Sequence, residues 1–360
     1  MPDLLVATRK GLVRVEEGDR LAGPPAFLGE PVSAVLADAR DGALYAALRL
    51  GHFGVKLHRS ADGGATWEEV RAPAFPKAAD PVDAPAVDMV WTLEAGGHDE
   101  PGRIWAGTLP AALFVSDDRG ESWRLVEPLW ERPERKGWMG GGYDQPGLHT
   151  ILVDPRDSRK LTVAISTGGI WRSTDGGGSW SLGGAGLRQD HVPPELTFDP
   201  GFQDPHRLAA CAAAPDVVWC QHHNGIFRST DAAASFTEIE GVEPAVFGFA
   251  VAAHPVDPET AWFVPAIRDE RRVPVDSRLV VTRTRDGGRS FESLGRGLPE
   301  RDCFDLVYRH ALDVDASGEH LAMGSTTGHL WLSRDGGTSW RLAAGHLAPI
   351  AAVRFLPSRA

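Results

Sequence analysis

Short runs that are wholly apolar, or that alternate apolar with polar residues, follow one another along the whole chain. Examples are Leu4-Leu-Val-Ala-Thr8, Gly11-Leu-Val-Arg-Val15, Gly169-Ile-Trp-Arg-Ser173, Gly225-Ile-Phe-Arg-Ser229 and Gly328-His-Leu-Trp-Leu-Ser333. Such runs, bounded by Gly, Asp and Pro, read as strands joined by tight turns. One eight-residue pattern punctuates them: Ser or Thr, any residue, Asp, any, Gly, any two, then Trp or Phe. Its copies are Ser60–Trp67, Ser116–Trp123, Ser173–Trp180, Ser229–Phe236, Thr284–Phe291 and Ser333–Trp340. Their aspartates, Asp62, Asp118, Asp175, Asp231, Asp286 and Asp335, follow at intervals of 56, 57, 56, 55 and 49 residues. That near-constant period marks a structural repeat.

Each copy ends a strand run, which makes it a hairpin turn. In such a turn Asp accepts backbone N–H bonds, Gly supplies positive φ and the aromatic folds back over the hairpin. The fourth copy has Ala233 in place of Gly, at a cost of about 1 kcal/mol if φ stays positive, and a distorted hairpin is expected there. Two more strand-like runs precede each box, the first ending in Asp-Pro or a similar turn signal. These first strands are predicted at 32–38, 88–94, 148–154, 195–199, 249–254, 308–315 and 349–356, one more than the boxes. The two runs at the start of the chain match second and third strands, with Glu16-Glu17-Gly18 standing where a box has decayed. The expected fold is therefore all-β: a single seven-bladed β-propeller over residues 1–360, its last blade joining a C-terminal inner strand to N-terminal outer strands.

Composition acts mainly by exclusion. With 42% hydrophobic and 24% charged residues the chain is ordinary globular protein. No apolar run approaches the roughly eighteen residues of a membrane span. Lys and Arg total 37 against 49 Asp and Glu, a formal charge of −12, the wrong sign for binding nucleic acid. The start passes from Asp3 into Leu4-Leu5-Val6-Ala7 without a basic segment or cleavage site, which points to the cytoplasm. Cys211, Cys220 and Cys303 form no C-x-x-C and read as free thiols.

In a blade running outward from the axis, the one–two and three–four turns share a face, so chemistry is sought on the face opposite the boxes. There the connection 126–147 is expected to act as a lid, with Gly140, Gly141 and Gly142 as hinges and Trp130, Trp138 and Tyr143 closing over a ligand. In the loop 268–278, Arg268, Arg271 and Arg272 suit a carboxylate or phosphate; the alternative is a self-neutralising loop of salt bridges. Aligned first strands place His149 and His310 at one register in blades three and six, facing across the channel mouth. Glu195 falls one position deeper in blade four, and His222, His223 and Asn224 lie on its adjoining loop. The same alignment sends His206 and His254 to the box face. Imidazoles with a carboxylate suit one divalent metal ion held by His149, His222, His223 and His310, or acid–base catalysis by His149, His310 and Glu195. The alternative is a set of hydrogen-bonded channel histidines. The expectation is a propeller binding a small polar, anionic ligand at the mouth, with hydrolase or lyase chemistry. Its rival is a non-catalytic scaffold docking a protein partner through Trp130, Trp138 and the charged loops.

The six boxes resemble the Asp-box, or BNR, repeats of sialidases. As a whole the chain is similar to bacterial BNR/YVTN-type propellers called glycosyl hydrolases or exo-alpha-sialidases, a resemblance that implies a carbohydrate-like ligand. The same box marks xyloglucan-active glycoside hydrolases, sortilin-type receptors and a non-enzymatic photosystem II assembly factor, so it implies no single activity. Sialidases share an Arg-Ile-Pro, an arginine triad, a Tyr–Glu nucleophile pair and an Asp acid/base on six blades. No Arg-Ile-Pro occurs here. By this resemblance Tyr308, beside Arg309, is the one candidate nucleophile, and no Glu pairs with it by motif. The xyloglucan enzymes carry two tandem propellers with a cleft between them, and this sequence supplies one.

Overall fold

The computed structural model describes residues 2–16, 20–77 and 85–357. These residues form seven four-stranded sheets, each with antiparallel neighbours. Blades one to six begin with Val32–Ala37, Met89–Ala95, Leu148–Val153, Pro205–Cys211, Gly248–Ala253 and Leu312–Val314. Blade seven pairs Ile350–Phe355 with Leu4–Thr8, then Gly11–Glu16 and Arg20–Leu21. Every first strand packs on those of its two neighbours, and Ile350–Phe355 packs on Val32–Ala37, so the ring closes. The chain is an all-β, seven-bladed propeller. Of the decayed box, Glu17 and Gly18 lie outside the described residues, as does part of the connection 71–87.

Large aromatics fill the seams between blades. Trp105, Trp171, Trp219, Trp262 and Trp331 are all buried; at about 25 cal/mol per Å² of apolar surface, indoles are the largest hydrophobic contribution a small sheet can bury.

The six turns share one hydrogen-bond scheme. The Ser or Thr hydroxyl accepts from the backbone N–H four residues on at 2.8–3.0 Å and donates to the Asp Oδ1 at 2.8–3.0 Å. The same Oδ1 accepts a second backbone N–H at 2.8–2.9 Å. Ala233 takes φ 64° and keeps the whole scheme, with its N–H 3.0 Å from Ser229 Oγ. The distortion expected there is absent. Its methyl is fully buried among Ile170, Leu187 and Phe227, which offsets part of the left-handed strain.

Blade four departs from the predicted register. The segment predicted as its first strand is instead a pair of 3-10 turns, Pro194–Leu196 and Pro200–Phe202, the second opened by Asp199 Oδ1 accepting the Gly201 N–H at 2.9 Å. The strand begins at the next Asp-Pro pair, and Pro205 occupies its first position, where the missing N–H costs no ladder bond.

Replacing Ser173 by Ala leaves the buried Gly177 N–H without its acceptor. The expected loss is about 1–3 kcal/mol of unfolding free energy, read by urea denaturation.

Candidate functional site

First strands run from the open face toward the boxes, so their starts ring the mouth of the channel. A cavity of about 600 Å³ opens there, bordered by Arg9, Arg49, Trp91, Tyr143, Arg272 and Arg309 among others. Arg309, just ahead of the first strand of blade six, is 5% exposed and makes no ion pair among the described residues. Its Nε is buried without an acceptor, and its one hydrogen bond is a long contact of 3.5 Å from Nη2 to the Gly141 carbonyl. The guanidinium lies 4.9 Å from the Trp91 ring and 5.4 Å from the Phe249 ring. Burial lowers its pKa against the pull of Asp204. Arg49 is paired with Asp88 at 2.5 Å, and Arg272 with Asp269 at 2.5 Å. Tyr308 receives an Arg272 N–H at 3.4 Å. No Asp or Glu borders this cavity among the described residues.

A smaller cavity of about 320 Å³ adjoins it, sharing Gly142 and Arg272. Asp204, His206 and His223 border it, their ligand atoms all within 4.8 Å of one another. Asp204 Oδ2 lies 3.3 Å from His223 Nδ1 and 3.7 Å from His206 Nε2, while Oδ1 accepts the Thr167 N–H at 3.2 Å. His206 Nδ1 donates to the Gly248 carbonyl at 2.6 Å. Burial, opposed by Asp204, lowers the His206 pKa below the usual imidazole value.

The expected histidine set divides. His149 is wholly buried, its Nδ1 bonded to Thr150 Oγ1 at 3.0 Å and its Nε2 without a partner. His310 does not face it across a shared centre: its Nε2 donates to the His149 carbonyl at 2.7 Å. Both ring nitrogens of His222 approach backbone N–H groups, of Asp204 and of Asn224, each at 3.1 Å. A neutral ring accepts at only one of them, and neither is left for a metal. Of the four expected ligands, only His223 enters the metal-capable cluster. Glu195 is exposed in the 3-10 turn Pro194–Leu196, so it does not join the channel residues. His206, assigned above to the box face, stands at the mouth because the strand starts ten residues later than predicted.

Other expected contacts also move. Trp138 is buried under the connection 126–147 against Trp171, ring centroids 6.0 Å apart, and does not cover a ligand. Tyr143 does border the cavity, edge-on to Trp91. Two of the three glycines serve close approach: a Cβ on Gly141 would lie 3.0 Å from Asp204 Oδ1, and one on Gly140 would lie 1.9 Å from the Tyr143 carbonyl, whereas Gly142 has open space around it and takes φ 93°. Arg268 and Arg271 are exposed away from both cavities, Arg268 pairing with Glu270 at 3.3 Å. Asn224 bonds Asp190 at 2.8 Å and borders neither cavity.

Below the mouth the channel carries Glu94, Arg207, Asp313 and Arg354. Burial raises the pKa of Glu94 and Asp313 against the charge of Arg354, and burial together with Arg354 lowers Arg207 to about 10. A cavity of about 550 Å³ opens on the box face; of its carboxylates, Asp154 and Asp216 are held by Arg156, Asp231 by its own turn, and half-buried Glu94 makes no ion pair among the described residues. The mouth is where arginines and a histidine–carboxylate group gather around adjoining cavities. Sequence reading missed Asp204, His206, Arg9, Trp91 and Gln189; the second Asp-Pro pair, Asp204-Pro205, was the signal available.

No family model matches the chain. A probable oligoxyloglucan-reducing end-specific xyloglucanase of Neosartorya fischeri is 25% identical over 320 residues, covering 81% of this chain and 36% of that protein. A sialidase of Bacteroides fragilis is 27% identical over 158 residues, 36% of this chain and 29% of that protein. The crystal structure of the GH74 xyloglucanase from Xanthomonas campestris superposes with a TM-score of 0.65 at 17% identity, covering 94% of this chain and 52% of that one. The chain thus spans about a third of the length of these two curated relatives and about half of that structure. It is a seven-bladed propeller with xyloglucanases and a sialidase among its relatives. Among the described residues no helix is long and apolar enough to cross a membrane.

His149 and His310 are held neutral in the fold: burial, then nearby arginine charges, push both well below the ordinary imidazole value. Unfolded chains take up those protons below about pH 6.5, so the unfolded state binds more protons and stability is lost as pH falls. The melting temperature is expected to drop between about pH 7 and 5. A His149→Gln, His310→Gln variant should show a shallower drop, the amide introduced at the second position keeping a donor to the backbone carbonyl at the first.

Proposed function

We propose that this propeller binds an acidic carbohydrate at the channel mouth, its anionic group lying against Arg309 with Arg272 and Arg49 beside it. The observation that carries this reading is the buried guanidinium of Arg309, which has no carboxylate partner. An isolated charge out of water costs several kcal/mol, a cost that a bound carboxylate offsets. Aromatic faces and one distant carbonyl contact Arg309, Asp204 acts on it through charge without a hydrogen bond, and the adjoining cavity of about 600 Å³ has room for a sugar. Trp91, Tyr143 and Tyr308 supply the amphipathic surfaces that sugar rings pack on. The carbohydrate class is supported by the relatives, named as xyloglucanases and a sialidase.

Glycoside hydrolysis is the second reading, favoured by those same names. The usual mechanism needs two carboxyl groups flanking the bond. Here they would come from the smaller cavity, where Asp204, Asp269 and Glu270 stand. Tyr308 has Arg272 rather than a Glu as its hydrogen-bond partner, so binding is the better supported of the two.

Titration calorimetry with glucuronate, galacturonate and N-acetylneuraminate, against glucose and xylose, tests the proposal. An acidic sugar should bind in preference to the neutral ones. Arg309→Met should weaken that binding about 10- to 100-fold, the value of a charge-assisted hydrogen-bond pair. The same variant should melt higher, because it removes a buried charge that has no hydrogen-bonded counterion. Equal affinity for neutral and acidic sugars, or unchanged affinity in the variant, would refute the reading.

A further inference from the structure

The geometry points to a mononuclear site for a divalent metal ion of the zinc class, formed by Asp204 Oδ2, His206 Nε2 and His223 Nδ1, with an open position facing the smaller cavity. All three donors come from blade four. Asp204 immediately precedes the first strand, His206 is its second residue, and His223 sits in the tight turn between the second and third strands. The His223 N–H donates to the Asp204 carbonyl at 3.0 Å, pinning that turn to the strand start. Donors on such short, mutually bonded segments are held at fixed separation.

The two separations from the carboxylate suit a tetrahedral ion, and the two imidazole nitrogens lie within 4.8 Å of each other. Metal–ligand bonds of about 2.0–2.1 Å at tetrahedral angles put ligand atoms about 3.3 Å apart. Asp204 Oδ2 lies 3.3 Å from His223 Nδ1 and 3.7 Å from His206 Nε2. Two nitrogens and one oxygen, with a fourth position open, are the donor set of a catalytic rather than a structural zinc site.

Protons and supporting bonds agree with this. A carbonyl only accepts, so the 2.6 Å contact to Gly248 puts a proton on His206 Nδ1, and in the neutral ring Nε2 is then bare toward Asp204. At 3.7 Å these two lone-pair-bearing atoms are too far apart for a hydrogen bond. They face each other at a buried position, an arrangement a cation between them stabilises. An outer hydrogen bond from the distal imidazole nitrogen to a carbonyl is the usual way a ligating histidine is oriented. Asp204 divides its oxygens likewise, Oδ1 to the Thr167 N–H and Oδ2 toward both imidazoles.

An independent observation points to a ligand in the same cavity. Gln189 borders it, is 3% exposed and has an Oε1 with no donor. A buried amide oxygen without a donor is costly, and water or hydroxide on the metal would supply one. With one carboxylate and two neutral imidazoles a divalent ion keeps a net positive charge, matching the anion-seeking arginines next to it. The site does not depend on the acidic-sugar reading, since none of its three donors is hydrogen-bonded to Arg309.

The test uses untagged full-length protein, stripped with a chelator and titrated with Zn²⁺ against a chromophoric competitor, in the absence of any sugar. One equivalent should bind, and Co²⁺ in its place should give the visible absorption of a tetrahedral ion. Asp204→Asn and His223→Gln should each weaken Zn²⁺ binding about 100-fold or more. His223 lies nearest the surface of the three, so His223→Gln should keep the melting profile of the parent where a change at His206 disturbs packing on Phe249. His149→Gln should bind Zn²⁺ as the parent does. No saturable binding by the folded parent, or affinity retained in both ligand variants, overturns the assignment. A loss in His149→Gln equal to theirs does the same. Failure of acidic sugars to bind leaves this result untouched, and failure of Zn²⁺ to bind leaves the sugar titration untouched.

Discussion

The pairing of Leu4–Thr8 with Ile350–Phe355 is the constraint on which the rest depends. It joins the two ends of the described chain in one sheet and places the last inner strand between those of blades six and one. Ring closure removes open sheet edges, which on seven short sheets would otherwise be templates for aggregation. It also sets the radius at which the inner strands stand. His310 pairs in parallel with Ala352, and the Val353 N–H donates to the His310 carbonyl at 2.9 Å. The segment carrying Tyr308 and Arg309 is therefore anchored to the closing strand itself. The position of the buried guanidinium is a consequence of closure.

Stability and chemistry are divided between the two faces. On the box face each box aspartate accepts several bonds inside its own turn, and Asp175 and Asp286 are drawn down to about 2 by those bonds. On the open face several groups lack partners. Arg309 lacks an ion pair among the described residues, Gln189 lacks a donor, and His206 turns a bare nitrogen toward a carboxylate. Buried polar atoms without partners occur elsewhere as well, Tyr45 Oη and Thr282 Oγ1 among them; what sets the open face apart is that Arg309, Gln189 and the Asp204–His206–His223 group border two adjoining cavities. The box therefore speaks only for the scaffold, and a resemblance resting on boxes says little about the ligand.

The blade period, the strand turns and the closure were legible in the sequence, because each is a local pattern repeated six or seven times. The site was legible only where the inner strand begins at its first turn signal. The segment Tyr308 to His310 borders the mouth cavity, while His149 is buried behind it. Blade four does not follow its first signal, because two Asp-Pro pairs stand five residues apart and the first opens a 3-10 turn instead of ending a strand. That displacement removed Glu195 from the channel and hid Asp204 and His206. Side-chain direction was the second barrier. Nothing local in Trp138-Met-Gly-Gly-Gly-Tyr143 says that the indole turns into the blade core while the phenol turns to the cavity. That choice is made by Trp171 and Trp91, contributed by other strands.

The same glycine segment decides how the two cavities relate. A mobile lid would need room on both of its sides, yet a Cβ on Gly141 would crowd Ser166, Thr167 and Asp204, each at 3.0 Å. The glycines permit the backbone to lie against the Asp204 carboxylate as a thin wall, with Gly142 and Arg272 bordering both cavities. A group held at Arg309 and a group held at Asp204 are thus neighbours across one backbone thickness. A sugar acid spanning that wall would meet a guanidinium on one side and the His–Asp cluster on the other. Placing opposite chemical demands on two sides of one partition favours one orientation of an asymmetric ligand.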